Sequence, residues 1–160
     1  MIAAASLPDH ALLRRYADRA DCFTDCYVAD IGRPVELGTY LCAFYATWVF
    51  APEKALLRVV LGRPARDFDV MPLALGESDR FAAWDVEERA EGQVLLCDLS
   101  GRTRSWFMVD GTQVYFGSAV VPPYEGADLG RVFRALLGFH HVYSRALLRA
   151  AVARLRAMSR

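Results

Sequence analysis

Two adjacent histidines, His140 and His141, sit in the run GFHHVYSR at 138–145, and the only other histidine is His10. An imidazole exchanges a proton near neutral pH and can orient the polar group of a bound molecule. A helix over 129–157, at about 100° per residue, places Arg131, Arg134, His141, Arg145, Arg149, Arg156 and Arg160 on one side. Phe133, Leu136, Leu137, Leu147, Ala151 and Leu155 fall on the other. His140 lies near the middle of the apolar arc, so it is expected to point inward and His141 into water. A buried imidazole must be neutral or paired, with its nitrogens satisfied. Two readings stay open. His140 is a core histidine bonded to a backbone carbonyl or a tyrosine, or it is a polar group facing a cavity under the helix. Tyr143 and Ser144 lean toward the same side, which is more polarity than packing requires.

The other chemistry-bearing residues are less concentrated. Asp98 stands among apolar neighbours in QVLLCDLS and is the second candidate for acid–base work. It also precedes the turn SGRT, where a strand-end carboxylate capping that turn is the simpler reading. Glu87 and Glu88 cannot both face inward on a regular strand, so they make a weak carboxylate pair. Tyr40, Phe44, Trp48, Trp106, Tyr115 and Phe116 are core or pocket lining. Base stacking would need basic residues beside these aromatics, and only Arg102 and Arg104 qualify, so nucleic acid is not an expected partner. There is no G-x-G-x-x-G, P-loop, G-x-S-x-G or H-E-x-x-H. Cys22, Cys26, Cys42 and Cys97 form no C-x-x-C, so no metal site and no cofactor is expected.

The 160 residues are 54% hydrophobic and 24% charged with no net charge, which suits one packed domain over 1–160 and excludes disorder or a global basic field. The start, MIAAASLPDH, lacks the basic and apolar regions of a signal peptide. Reduced thiols and a cytoplasmic location are expected. LCAFYATWVFA is about half the roughly 20 residues of a membrane-spanning helix. Seven arginines against one acid in 127–160 form a basic stripe, read as a solvated face with ion pairs to its own domain or to a second subunit of a homodimer.

The elements that must position these residues follow from pattern. DHALLRRYADRA suits a short helix. CFTDCYVADI alternates Phe23, Tyr27 and Ile31 with Cys22, Cys26 and Val28, as a strand does. Pro34 opens a helix reaching about Phe50, and Pro52 opens a second, PEKALLRVVLG. MPLALGESD fits a strand or a loop. FAAWDVEER, QVLLCDLS, RSWFMVDG and TQVYFGSAVV read as strands joined by the turns AEG, SGRT and DGT, an antiparallel meander. The long helix ends the chain.

This order resembles the helix-grip arrangement, α+β, in which a curved antiparallel sheet wraps a long C-terminal helix after two short helices. FRALLGFHHVYSRALLRAA resembles the end of a bacterial domain-of-unknown-function family, number 2867, whose members close on Phe-His, aliphatic residues, an arginine and a leucine-rich tail. Phe139, His140, Arg145 and Leu148 match that pattern. ALLRVVLGRP and VLLCDLSGRTRSWFMV resemble its first helices and its hairpin. The family is grouped with START-like and polyketide-cyclase-like proteins. The leading expectation is a binding protein with an apolar small molecule between sheet and last helix, and His140, Tyr143, Ser144, Trp106, Tyr115, Trp48 and Phe44 around it. A cyclase/dehydratase-type enzyme using His140 as general acid or base, with Asp98 second, and an interaction module with a filled core are the alternatives.

Overall fold

The computed structural model describes residues 1–47, 70–127, 129 and 131–158. The helix expected at PEKALLRVVLG, and Trp48, lie outside the described residues. Seven strands form one antiparallel sheet: β1 (Ile2–Ala4), β2 (Phe23–Asp30), β3 (Arg80–Phe81), β4 (Trp84–Ala90), β5 (Gln93–Asp98), β6 (Thr103–Asp110) and β7 (Gln113–Val120). Their order is β1-β2-β7-β6-β5-β4-β3. Helices α1 (Arg14–Ala17), α2 (Leu37–Tyr45), α3 (Met71–Ala74) and α4 (Arg131–Ala157) complete the described elements. The fold is α+β, with an open sheet and a C-terminal helix that runs through Gly138 without a break.

The meander forms where turn chemistry allows it. Gly111 takes φ 55° between Asp110 and Gln113, which face each other across a two-residue hairpin, and glycine adopts that angle without strain. FAAWDVEER is not one strand. Ala82 takes φ 51°, so β3 turns into β4 at Ala82 and Ala83. MPLALGESD opens as the short helix α3, with Pro72 in its first turn where a missing N–H costs nothing. The N-terminal residues 2–4 pair with β2 as an edge strand.

Parity divides the sheet residues between two cores. On one face Tyr27, Ala29, Val94, Leu96, Phe107, Val114 and Phe116 meet α2 and α4. Leu147, Leu148, Ala151, Val152 and Leu155 are the buried stripe of α4, and each leucine or valine contributes about 1.5–3 kcal/mol on burial. Phe44 sits edge-on to Phe107 at 4.8 Å, and Tyr45 lies 4.6 Å from Phe81. The buried Tyr40 hydroxyl donates to the Tyr115 carbonyl at 3.1 Å.

The other face is covered by the N-terminal segment. Leu13 and Tyr16 pack on Cys26, Leu95, Trp106, Met108 and Ala119. Gln93, buried beneath, accepts from Leu12 N–H and Trp106 Nε1–H, both at 2.9 Å, and donates to the His10 carbonyl at 3.0 Å. Gly117 makes this fit possible: a Cβ there would lie 2.7 Å from Leu13 and 2.8 Å from the Asp25 carbonyl.

A register shift between Val86 and Glu88 bulges β4. The extra residue brings consecutive Glu87 and Glu88 to the same segment, against the expectation from strict alternation. Glu87 accepts from Tyr16 O–H at 2.5 Å and Arg104 Nε at 2.6 Å, and Glu88 pairs with Arg15. The two carboxylates clamp the N-terminal segment and are not a catalytic pair. No helix among the described residues is long and apolar enough to cross a membrane, and no disulfide joins the four cysteines.

Candidate functional site

The first turns of α4 that carry the histidines lie over β2. Strand alternation puts Phe23, Asp25 and Tyr27 on the face toward the helix. The Phe23 ring stands edge-on to both imidazoles, 5.7 Å from His140 and 5.6 Å from His141. Asp25 is the centre of the arrangement. Its side chain is only 5% exposed. Oδ1 accepts from the Ser118 N–H at 3.0 Å and from the Ser118 hydroxyl at 2.6 Å. Asp25 and Ser118 face each other across β2 and β7, so the sheet register itself builds this contact. Oδ2 is buried with no hydrogen-bond partner and lies 3.4 Å from His140 Nε2 and 3.7 Å from His141 Nδ1.

His140 Nε2 also lies 2.8 Å from Ser118 Oγ. A hydroxyl has one proton, and Ser118 gives it to Asp25, so Nε2–H of His140 is the donor in that contact. The order of protons is therefore His140 to Ser118 to Asp25. This is not a nucleophile triad. There the serine proton goes to the imidazole and the carboxylate holds the opposite ring nitrogen. Here Ser118 and Asp25 meet the same nitrogen.

His141 is the more exposed imidazole, and it is also engaged by the sheet. Its Nδ1 lies 2.8 Å from the Tyr27 hydroxyl. Burial, then the Asp25 charge, raises the Tyr27 hydroxyl above its ordinary value and keeps its proton in place. The side chains of His140 and His141 are 23% and 43% exposed, so His140 is the more buried of the two, as the helical spacing implies, and both border the carboxylate. Adjacent helical residues are about 100° apart, and a single buried group between the two directions can be reached by both.

A cavity of about 410 Å³ opens beside this cluster, between sheet and α4. Phe44, Tyr45, Trp84, Phe116 and Leu147 supply apolar wall. Thr103, Ser105, Ser118, His140, Tyr143 and Ser144 supply the polar part. The expected residues His140, Tyr143, Ser144 and Phe44 thus meet around one space. Trp106 and Tyr115 do not. They alternate to the far face, where Trp106 bonds Gln93 and its ring centre lies 6.1 Å from that of Tyr115. The phase of β6 puts Ser105 and Phe107 toward the helix, and that of β7 puts Phe116 and Ser118 there.

Asp98 reaches the cavity wall, but its oxygens are engaged. Oδ1 accepts from the N–H groups of Arg102 at 2.8 Å and Thr103 at 2.9 Å, and Oδ2 accepts from the Ser100 hydroxyl at 2.5 Å. It caps the turn, as its position before SGRT implies. The carboxylate beside His140 is Asp25. The sequence offered one signal for it: a single charged residue between two aromatics on the inward side of a strand. The basic face of α4 is solvated, and among the described residues no ion pair reaches Arg145, Arg149, Arg154 or Arg156; Arg156 donates to the Asp30 carbonyl at 2.7 Å. Among the described residues no group of three His, Cys, Asp or Glu side chains is disposed to hold a metal ion. No protein-family model matches this chain, and neither a curated protein nor a solved structure does.

Proposed function

We propose that this chain is a small-molecule binding protein of the helix-grip, START-like kind, and that an apolar molecule occupies the space between the sheet and α4. The observation that carries the reading is the cavity of about 410 Å³ with an aromatic and aliphatic wall and polar groups on one part of it, Ser118 and His140 among them. That size and lining suit a ligand of modest length whose apolar body is buried and whose polar end is oriented. The chain order supports the fold assignment: a long strand, helices, a meander, and a last helix over the face where the first long strand meets the last one. The resemblance of the C-terminal run to family 2867 points the same way. The cavity argues against an interaction module with a filled core.

A cyclase/dehydratase-type acid–base enzyme is the second reading. The observation favouring it is a buried carboxylate, Asp25, within 3.4 Å of His140. The test of the binding reading is saturable uptake of a hydrophobic fluorescent dye and native mass spectrometry of the purified chain. Ser144→Phe, which fills the space from α4, serves as the blocked control. One site per chain, lost in the control, is expected; absence of saturable uptake in the wild type rejects the reading.

A further inference from the structure

The hydrogen-bond order at the polar corner restricts what the bound molecule can present there. Ser118 Oγ gives its only proton to Asp25 Oδ1 and receives one from His140 Nε2. One lone pair of Oγ is then left, and Ser118 lines the cavity. Ser118 Oγ therefore accepts a proton there and has none to give. Behind it stands the Asp25 carboxylate, 5% exposed, with Oδ2 lacking a hydrogen bond. The charge lining the cavity has the same sign. Among the described residues the ionisable groups on the wall, besides Tyr45 and Tyr143, are Asp98 and His140, and no lysine or arginine joins them. An imidazolium at His140 would be matched by Asp25 at 3.4 Å and would leave no excess positive charge facing the ligand. A carboxylate placed at this corner would meet the Ser118 acceptor with the Asp25 carboxylate behind it, in a setting where unpaired charge is costly.

We propose that the cavity selects a molecule whose polar end is an uncharged hydroxyl donor, and rejects a carboxylate on the same apolar body. This deepens the binding reading and rests on it. The hydroxyl donates to Ser118 Oγ, and the aromatic and aliphatic wall takes the chain.

The test is displacement of the bound dye by three matched probes: decanol, decyl methyl ether and decanoate, at mildly alkaline pH. Decanol is expected to bind about five- to tenfold more tightly than the ether, the worth of one hydrogen bond to a polarised acceptor. Decanoate is expected to fall at least about tenfold below decanol. Ser118→Ala, a small change on the helix-facing side of β7, should bring decanol down to the level of the ether. Asp25→Asn should narrow the gap between decanol and decanoate. Circular dichroism of both variants checks that they fold, and the wild-type ranking stands by itself if Asp25→Asn does not. Decanoate binding as tightly as decanol, or the ether matching decanol in the wild type, overturns the inference while leaving a binding cavity. No displacement by any probe, with no dye uptake, overturns the binding reading and the inference with it.

Discussion

Replacing Asp25 by alanine removes the acceptor that ties β2, β7 and α4 together. Two donors of Ser118 lose their partner, and two imbedded imidazole edges lose the carboxylate within 3.4 and 3.7 Å. Hydrogen bonds to a buried charged group contribute about 1.5–3 kcal/mol each, and the two at Ser118 share one oxygen and are not additive. A loss of about 3 kcal/mol is expected for Asp25→Ala. Asparagine keeps an acceptor for both Ser118 donors but drops the charge and turns an N–H toward the histidines, so Asp25→Asn should cost about half as much. Urea unfolding followed by tryptophan fluorescence gives both values, with Asp18→Ala at an exposed position as control. Nitrogen-detected NMR gives the tautomer, which should be Nε2–H at His140. Losses under about 0.5 kcal/mol for both variants, or an Nδ1–H tautomer at His140, would refute the proton order from His140 to Ser118 to Asp25.

Gly117→Ala should cost more than about 2 kcal/mol, because the new methyl meets backbone at Asp25 and the flank of Leu13 under a sheet that cannot retreat; thermal melts decide it, and a neutral result would mean the N-terminal segment is not seated there. Burial pushes the Cys26 thiol from 9.0 up to about 12. Its contribution to stability is therefore present below pH 9 and lost as pH rises toward 12. Alkaline unfolding curves should be shallower in Cys26→Ala. Native protein should leave Cys26 unreacted with a thiol reagent at neutral pH, and denatured protein should titrate four thiols. His140→Leu should destabilise by about 1–2 kcal/mol, since Ser118 loses a donor and Asp25 a neighbour, and unchanged stability in urea would show that His140 makes no bond that matters to the fold.

The long C-terminal helix, the meander and the alternation of β2 were legible because each repeats a hydrophobic period over many residues. Helix α4 begins two residues later than the pattern placed it and otherwise follows it. Single-residue irregularities were not legible. A bulge at Glu87 or a positive φ at Ala82 changes which way side chains point without changing composition, and period arguments cannot register either. Trp106 and Tyr115 were assigned to the cavity by residue type, whereas strand phase sends them to the face beneath the N-terminal segment. The histidine pair was half legible: the wheel found His140, but the group that gathers both imidazoles lies on another element. Asp25 became meaningful only when β2 met β7 in register with Ser118 opposite.

The pairing of β2 with β7 has a consequence in time. Asp25 and Ser118 are 93 positions apart in the chain, and the imidazole that completes their group comes later still, at residue 140. Strands β4 to β7 join by short hairpins and can assemble from near neighbours, whereas β2 must close a long loop before its contacts with β7 are rewarded. During synthesis the polar corner therefore does not exist until residue 140 has emerged. In refolding, hydrogen-exchange protection of the β4–β7 hairpin amides should run ahead of the recovery of dye uptake, so the chain passes through a meander that is already made and a pocket that is not.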